Sequence, residues 1–425
     1  MVDAIDSFTG MYARTVIEYL RGLPDPAIER AADLFTTAIP REGNTVYLFG
    51  NGGTHAIARH MARSLRARFA GVCGMRVNCG VDFHDNQSTA VRYGYESVFE
   101  AVLEAERASE RDLVVLLSGS GDSDNLLLAA RHCRLHGIPT VSFAGFDGGR
   151  ITRRRMTDHP IVVGVHDQQM SEDVMQVLLH VLVETAYRDL LEGGGHLGRC
   201  LADYTSKIER ALRRLDAAVL HRISGHVCDA FVSGRGVYLL APEGGALSLS
   251  AEHTAHNFNW DAIFEVRRPP KRVLHSTPTS CDYSGIANDR LMPGVVSCQQ
   301  LDRAAPGDVL LLYAADLGSE AARNTLAAAE AAEMRIMALA GHASGLETPD
   351  LIVYGTRDQD VLGDVTQMTG HILGRLIRLK LKRSVDAVDA GDVEDDGADP
   401  FSNLATYLVD GDLAQRRLID VVAGV

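Results

Sequence analysis

The sequence predicts an α/β protein of two tandem units, each a mostly parallel, doubly wound sheet flanked by helices. Three observations lead there. Short apolar runs alternate with helix-like segments along the first half, the pattern of a parallel sheet covered on both faces. The second half runs through the same series again, about 190 residues later. Glycine-rich turns stand where apolar runs give way to helices, at the strand ends from which open α/β sheets bind ligands.

Taken in order, residues 1–40 read as two amphipathic helices broken near Gly22-Leu23-Pro24. A strand at 45–50, a helix at 54–68 and a strand near 75–79 follow. Next come a helix at 95–109, a strand at 113–118, a helix at 124–136 and a strand at 139–144. A strand at 160–165 and a long helix at 170–192, stopped by Gly193-Gly194-Gly195, close the first unit. In the second half, "GVYLLAPEGGALSLSAEHTA" (236–255) echoes "NTVYLFGNGGTHAIARHMA" (44–62). The segments 307–341 and 358–373 likewise echo 111–145 and 167–182. Three segments in the same order at nearly the same spacing predict a duplicated domain rather than a solenoid. The expected boundaries are 1–195, 196–384 and a tail, 385–425. The tail opens on the acidic "SVDAVDAGDVEDDGADP" (384–400), which reads as a mobile linker, and ends in an amphipathic helix near 411–422.

Bulk properties narrow the function. The chain has 425 residues, 46% hydrophobic and 23% charged, an ordinary globular composition. A formal net charge of −14 argues against nucleic acid or an anionic membrane as partner. No apolar run approaches the roughly 18 residues of a membrane span, and no signal peptide opens the chain. The seven cysteines (73, 79, 133, 200, 228, 281, 298) form no CxxC pair, which reads as reduced thiols in a cytoplasmic protein.

Two stretches carry chemistry. In "YLFGNGGTHAIARHMARSL" (47–65) an apolar run breaks on Gly50-Asn51-Gly52-Gly53-Thr54 and becomes a helix carrying His55 and His60. A glycine turn at a helix N-terminus suits an anion, and without a lysine it is not a nucleotide P-loop. In "VVLLSGSGDSDNLLLAA" (114–130) a strand ends on Ser118, Ser120 and Ser123, spaced by Gly119 and Gly121, before a new helix. Three hydroxyls, pliant backbone and a fresh helix N-terminus can cradle a phosphate monoester. The same loop also reads as a polar turn whose serines only cap the helix.

Together, "GNGG(T)" and "SGSGDSDN" resemble the sugar isomerase (SIS) fold, and above all the sedoheptulose 7-phosphate (phosphoheptose) isomerases, whose motifs run GNGGS and STSGNSxN. The likeness covers about residues 10–190; the second half resembles a further, degenerate SIS domain, giving two tandem SIS domains. The resemblance implies that Thr54, Ser118, Ser120 and Ser123 bind the substrate phosphate, with Asn51 and Gly53 in the same turn. It also implies a metal, usually zinc, held here by His60, Glu172 and His180. Positions i and i+8 share a helix face, and two imidazoles with a carboxylate form a common zinc set. The matches are incomplete. Ser64 stands where the family has a glutamate, Glu172 where it has a glutamine, and Arg92 and Gln169 where it has aspartates. Arg68 matches a basic residue of the family.

The chemistry implied is aldose–ketose interconversion of a phosphorylated sugar through an enediolate. His180 is then the expected acid/base and Glu172 a ligand or second base. In the second half Ala314 and Asp316 stand opposite Ser118 and Ser120, and only Ser319 matches, at Ser123. Its expected role is a structural partner, the alternative being that Glu252, His253, Asp364 or His371 contribute to the first half's pocket. Two other functions stay open: a sugar-phosphate-binding regulator without catalysis, and an amino-sugar phosphate enzyme. The resemblance also implies a homo-oligomer, a dimer of this tandem chain.

Overall fold

The computed structural model describes residues 2–23, 25–80, 83–259, 273–275, 292–345 and 348–389. The helix expected near 411–422 lies outside them, as does the acidic stretch beyond Asp389. The chain divides into two compact units, one of Thr15–Ser206, the other beginning at Lys207 and taking in the residues up to Arg14. The divisions fall inside helix α1 (Val2–Arg21) and helix α9 (Leu197–Leu212).

In the first unit the strands are β1 (Thr45–Gly50), β2 (Arg76–Asn78), β3 (Leu113–Ser118), β4 (Thr140–Gly145) and β5 (His159–Val163). They form one parallel sheet in the order β2-β1-β3-β4-β5. Every residue of β1, β3 and β4 is buried, as their unbroken apolar runs require of strands covered on both faces. The covering helices are α2 (Pro26–Ala38), α3 (Gly53–Phe69), α4 (Phe83–Tyr93), α5 (Val98–Ala105), α6 (Asp124–His136), α7 (Gly149–Arg153) and α8 (Gln168–Glu192). On one face α5 and α6 pack over Phe49, which stacks on Phe99 with centroids 4.7 Å apart. On the other, α8 packs on α2 and α3.

The strand order dictates where a ligand goes. From β1 the chain crosses first to β2 on one side and then to β3 on the other, so the direction of winding reverses between β1 and β3. At such a reversal open α/β sheets bind their ligands, beside the loops leaving the C-terminal ends of these two strands. They are the two glycine-rich loops.

The second unit carries β6 (Val237–Leu240), β7 (Val273–His275), β8 (Val309–Asp316), β9 (Arg335–His342) and β10 (Leu351–Val353), in the order β7-β6-β8-β9-β10. This is the topology of the first sheet. Its helices are α10 (Ala217–Val232), α11 (Gly245–Asn257), α12 (Val295–Leu301), α13 (Glu320–Ala331) and α14 (Gln359–Asp389). Within this unit the guanidinium of Arg375 on α14 lies 5.5 Å from the ring centroid of Tyr12.

Four elements differ from expectation. The helix expected at 95–109 is a 3-10 turn, Tyr95–Ser97, followed by α5, and α4 precedes it unforeseen. Gly94, at φ +89°, separates α4 from the turn, since a left-handed residue ends one helix before the next begins. The short α7 was also not foreseen. Helix α14 runs to Asp389, so the acidic stretch begins as helix.

Candidate active site

The β1–α3 turn is built by its own side chains. Gly52 precedes the helix at φ +53° and ψ −125°, a conformation open to glycine. The Thr54 hydroxyl donates to the Asn51 carbonyl at 2.8 Å and accepts from the Asn51 N–H at 2.9 Å. Its proton is thus committed inside the turn, and Thr54 shapes the loop. A Cβ on Gly50 would lie 2.6 Å from the Thr54 backbone, so the tight return needs glycine there.

The β3–α6 loop keeps hydroxyls in hand. Ser118, buried, accepts from the Gly121 N–H at 2.8 Å, and Ser120, exposed, accepts from the Asp122 N–H at 3.2 Å. Each retains its O–H as a donor. Ser123 occupies the N-cap of α6 in extended geometry, yet its side chain makes no capping bond. A serine so placed ordinarily caps its helix; here the hydroxyl stands at the helix end without that task. Gly121, at φ +72°, lets the loop pass against the next one, its α-hydrogen position facing the Gly148 carbonyl. The acidic side chains nearby are countered by Arg150, 3.0 Å from Asp124 and 3.3 Å from Asp122.

A pair of amides stitches the two loops together. Asn51 donates to the Asn125 oxygen at 3.0 Å, and Asn125 donates back to the Asn51 oxygen at 2.9 Å. Tyr95 adds its hydroxyl to Asn51 Oδ1 at 2.8 Å. Partial burial pushes the Tyr95 phenol up, so it remains a donor at neutral pH. Each such bond contributes about 1 kcal/mol net, and their joint effect is to fix the spacing between the loops.

Below the loops, α3 and α8 face each other along a polar seam. At its head the Glu172 carboxylate lies against Gly53, where a Cβ would come within 2.5 Å of Glu172 Oε2. A carboxylate at the first turn of a helix is favoured by the unpaired N–H groups and dipole there. Gln168 donates to its other oxygen at 3.2 Å. Further along, the rings of His60 and His180 meet edge to face, centroids 5.1 Å apart, both buried. His180 Nε2 is 3.2 Å from the Ser64 hydroxyl, and its Nδ1 is 3.1 Å from the Tyr204 hydroxyl on α9. At the foot, Arg68 pairs with Glu184, which Arg188 also binds.

Thus His60 and His180 come together, and Glu172 stands at the glycine turn. Among the described residues its carboxylate does not join both imidazoles in one group of ligand atoms within 4.8 Å. Tyr204, Asn125, Tyr95 and Gln168 did not enter the sequence reading of the site. Asn125 closes the "SGSGDSDN" motif and could have been found there. Tyr204, on a different helix from His180, carries no local signal.

With the geometry in place, the comparisons with known proteins decide the family. The SIS domain family matches residues 11–145. Phosphoheptose isomerase of Geobacter sp. (strain M21) is 32% identical over 183 residues, 42% of this chain and 92% of that protein. The chain belongs to the phosphoheptose isomerase family. The isomerase of Citrifermentans bemidjiense is similar at 31% identity, with the same 42% and 92% coverage. Over the greater length, the fold is that of the C-terminal domain of glucosamine-fructose-6-phosphate aminotransferase from Francisella tularensis. That structure has a TM-score of 0.58, 10% identity, and covers 89% of this chain and 96% of its own. The phosphoheptose isomerase likeness therefore lies in one half of the chain, and the SIS fold extends through both.

The second unit has spent the groups that the first keeps. Ser319 caps α13 by accepting from the Ala322 N–H at 3.2 Å, unlike Ser123. The Ala315 N–H, near the end of β8, donates to the Glu243 carboxylate. Asp316 is held below the usual carboxylate range chiefly by the Gly318 N–H, so it stays charged where a phosphate would need donors. His253 and His371 pair edge to face at 4.9 Å, as His60 and His180 do, and His253 Nδ1 is 2.9 Å from Gln367 Oε1. Glu252 is half-buried beside His253, Asp364 is buried on α14, and Gly363 stands where the first unit has Glu172.

Proposed function

We propose that the chain is an aldose–ketose isomerase acting on a phosphorylated sugar, sedoheptulose 7-phosphate or one close to it. The observation that carries this reading is the Asn51–Asn125 stitch. It holds two glycine loops over the β1/β3 crevice while Ser118, Ser120 and Ser123 keep donors at the start of α6. A dianionic phosphate would take those hydroxyls and the helix N–H groups, with Asn51, Gly53 and Thr54 shaping the facing turn.

The sugar's carbonyl end would then lie toward the α3–α8 seam. His180 is the acid/base of this reading. A neutral imidazole offers one donor and one acceptor, and hydroxyls on both ring nitrogens can each supply the complementary role. His180 would take the proton from the carbon beside the carbonyl and return it to the neighbouring carbon. Glu172, at the head of α3, is placed to accept from a sugar hydroxyl or to serve as a second base.

Paired buried imidazoles suit a divalent cation of the zinc class, so His60 and His180 would hold it, while Glu172 stands apart at the glycine turn. When bound, such an ion polarises the carbonyl oxygen. The competing reading is a sugar-phosphate-binding regulator, favoured by Ser64, which places a hydroxyl rather than a carboxylate on His180.

The phosphate cradle is tested by Ser118→Ala and Ser123→Ala. Each is expected to weaken binding of the sugar phosphate by roughly tenfold, the loss of a hydrogen bond to a charged group of about 1.5 kcal/mol or more. Isothermal titration would show it, with inorganic phosphate weakened in parallel. Unchanged affinity in both variants would place the phosphate elsewhere.

A further inference from the structure

Away from the crevice, α5 and α6 present four metal-ligating side chains to one another. Glu100 and Glu104 stand one turn apart on α5, and His132 and His136 one turn apart on α6. We propose that Glu100, Glu104 and His132 form a cation site, for a divalent ion of the zinc class, independent of the isomerase reading.

The geometry supports a site rather than an ion-pair cluster. A carboxylate oxygen from each glutamate and a ring nitrogen of His132 all lie within 4.8 Å of one another. His132 Nδ1 is 3.8 Å from Glu100 Oε1, longer than a hydrogen bond. Two ligands about 2 Å from one ion are separated by roughly 3.3–4.2 Å, so small side-chain rotations would complete the contacts. The His136 ring lies 4.4 Å from that of His132, centroid to centroid, and stands beside this group of three. Spacing of i and i+4 on each of two packed helices sets all four side chains on facing surfaces.

Energetics favour an occupant. Like charges at i and i+4 are mutually unfavourable by about 0.2–0.5 kcal/mol, and a divalent cation reverses the sign of that interaction. The helices themselves are held, since Phe99, Leu103, Leu126, Leu127 and Cys133 are buried in the core between them and the sheet. The scaffold is therefore rigid, as a metal site requires. His132 is buried to 7% exposure while Glu104 is exposed, which leaves an entry path from solvent. An ion here would tie α5 to α6, the helix whose first turn forms part of the phosphate cradle.

The test uses the full chain, stripped of metal and titrated with Zn2+ alone. The E100Q/H132Q variant is expected to take up one Zn2+ fewer per chain than wild type, whereas H60Q/H180Q keeps that site. E104Q, at an exposed position that folding tolerates, is expected to weaken the site at least about tenfold, since even outer partners of metal sites cost that much. Zinc should also raise the melting temperature of H60Q/H180Q but not that of H60Q/H180Q carrying E104Q. Equal zinc stoichiometry and affinity with and without E104Q overturns the proposal. Loss of isomerase activity in H60Q/H180Q bears on the other reading and leaves this one standing.

Discussion

His180→Gln is expected to lower turnover of the sugar phosphate by at least about 100-fold while leaving its affinity nearly unchanged. General acid–base groups contribute on the order of 10²–10⁴ to rate, and His180 is the imidazole of the seam with a hydroxyl on each ring nitrogen. The proposed phosphate cradle lies on other elements, so binding should survive. Glutamine would leave the Ser64 and Tyr204 hydroxyls poorly satisfied, at a cost of about 1–3 kcal/mol, so the variant must first be shown to be folded by its melting curve. Steady-state kinetics with a direct binding measurement separates the two effects. A folded variant with wild-type turnover would remove His180 from the chemistry.

The second large effect concerns the backbone. Gly121→Ala is expected to destabilise the protein by about 2–5 kcal/mol and to abolish sugar-phosphate binding. The left-handed conformation at φ +72° costs an alanine about 1–2 kcal/mol. Its Cβ would also lie 2.2 Å from the Gly148 carbonyl oxygen, with the backbone of Gly149 behind it. No flexible side chain can move aside, and overpacking of this kind adds about 1–3 kcal/mol. Gly137 provides the control. It has φ +67° at the end of α6 but nothing within 4 Å of a built Cβ, so Gly137→Ala should cost only the conformational part. Urea unfolding, with the midpoint shifted and the slope unchanged, measures both. Equal small losses at the two positions would show that the loops are not packed as described.

The central strands were legible because they are short, largely apolar runs that end at glycine or serine, so β1, β3 and α6 fall at their expected limits. The two loops were legible for the same reason, since glycine and serine at a strand end carry their chemistry locally. What escaped depends on contacts between distant residues. The break between α4 and α5 rests on Gly94, one glycine in an otherwise helical pattern. Tyr204 reaches His180 from the next helix, and nothing near either residue in sequence announces it. The bond by which the Thr54 hydroxyl closes the turn on Asn51 likewise becomes visible only when the backbone is in place.

The central claim is that the first half grips a sugar phosphate at the β1/β3 crevice and moves a proton beside the carbonyl. It is tested most directly by incubating the chain with sedoheptulose 7-phosphate and related sugar phosphates in deuterated water, read by NMR. The account predicts deuterium at the carbon next to the carbonyl, greatly slowed in His180→Gln and requiring higher substrate in Ser123→Ala. Binding of these sugars without deuterium entering any of them would contradict it, and would identify the chain as a sugar-phosphate sensor.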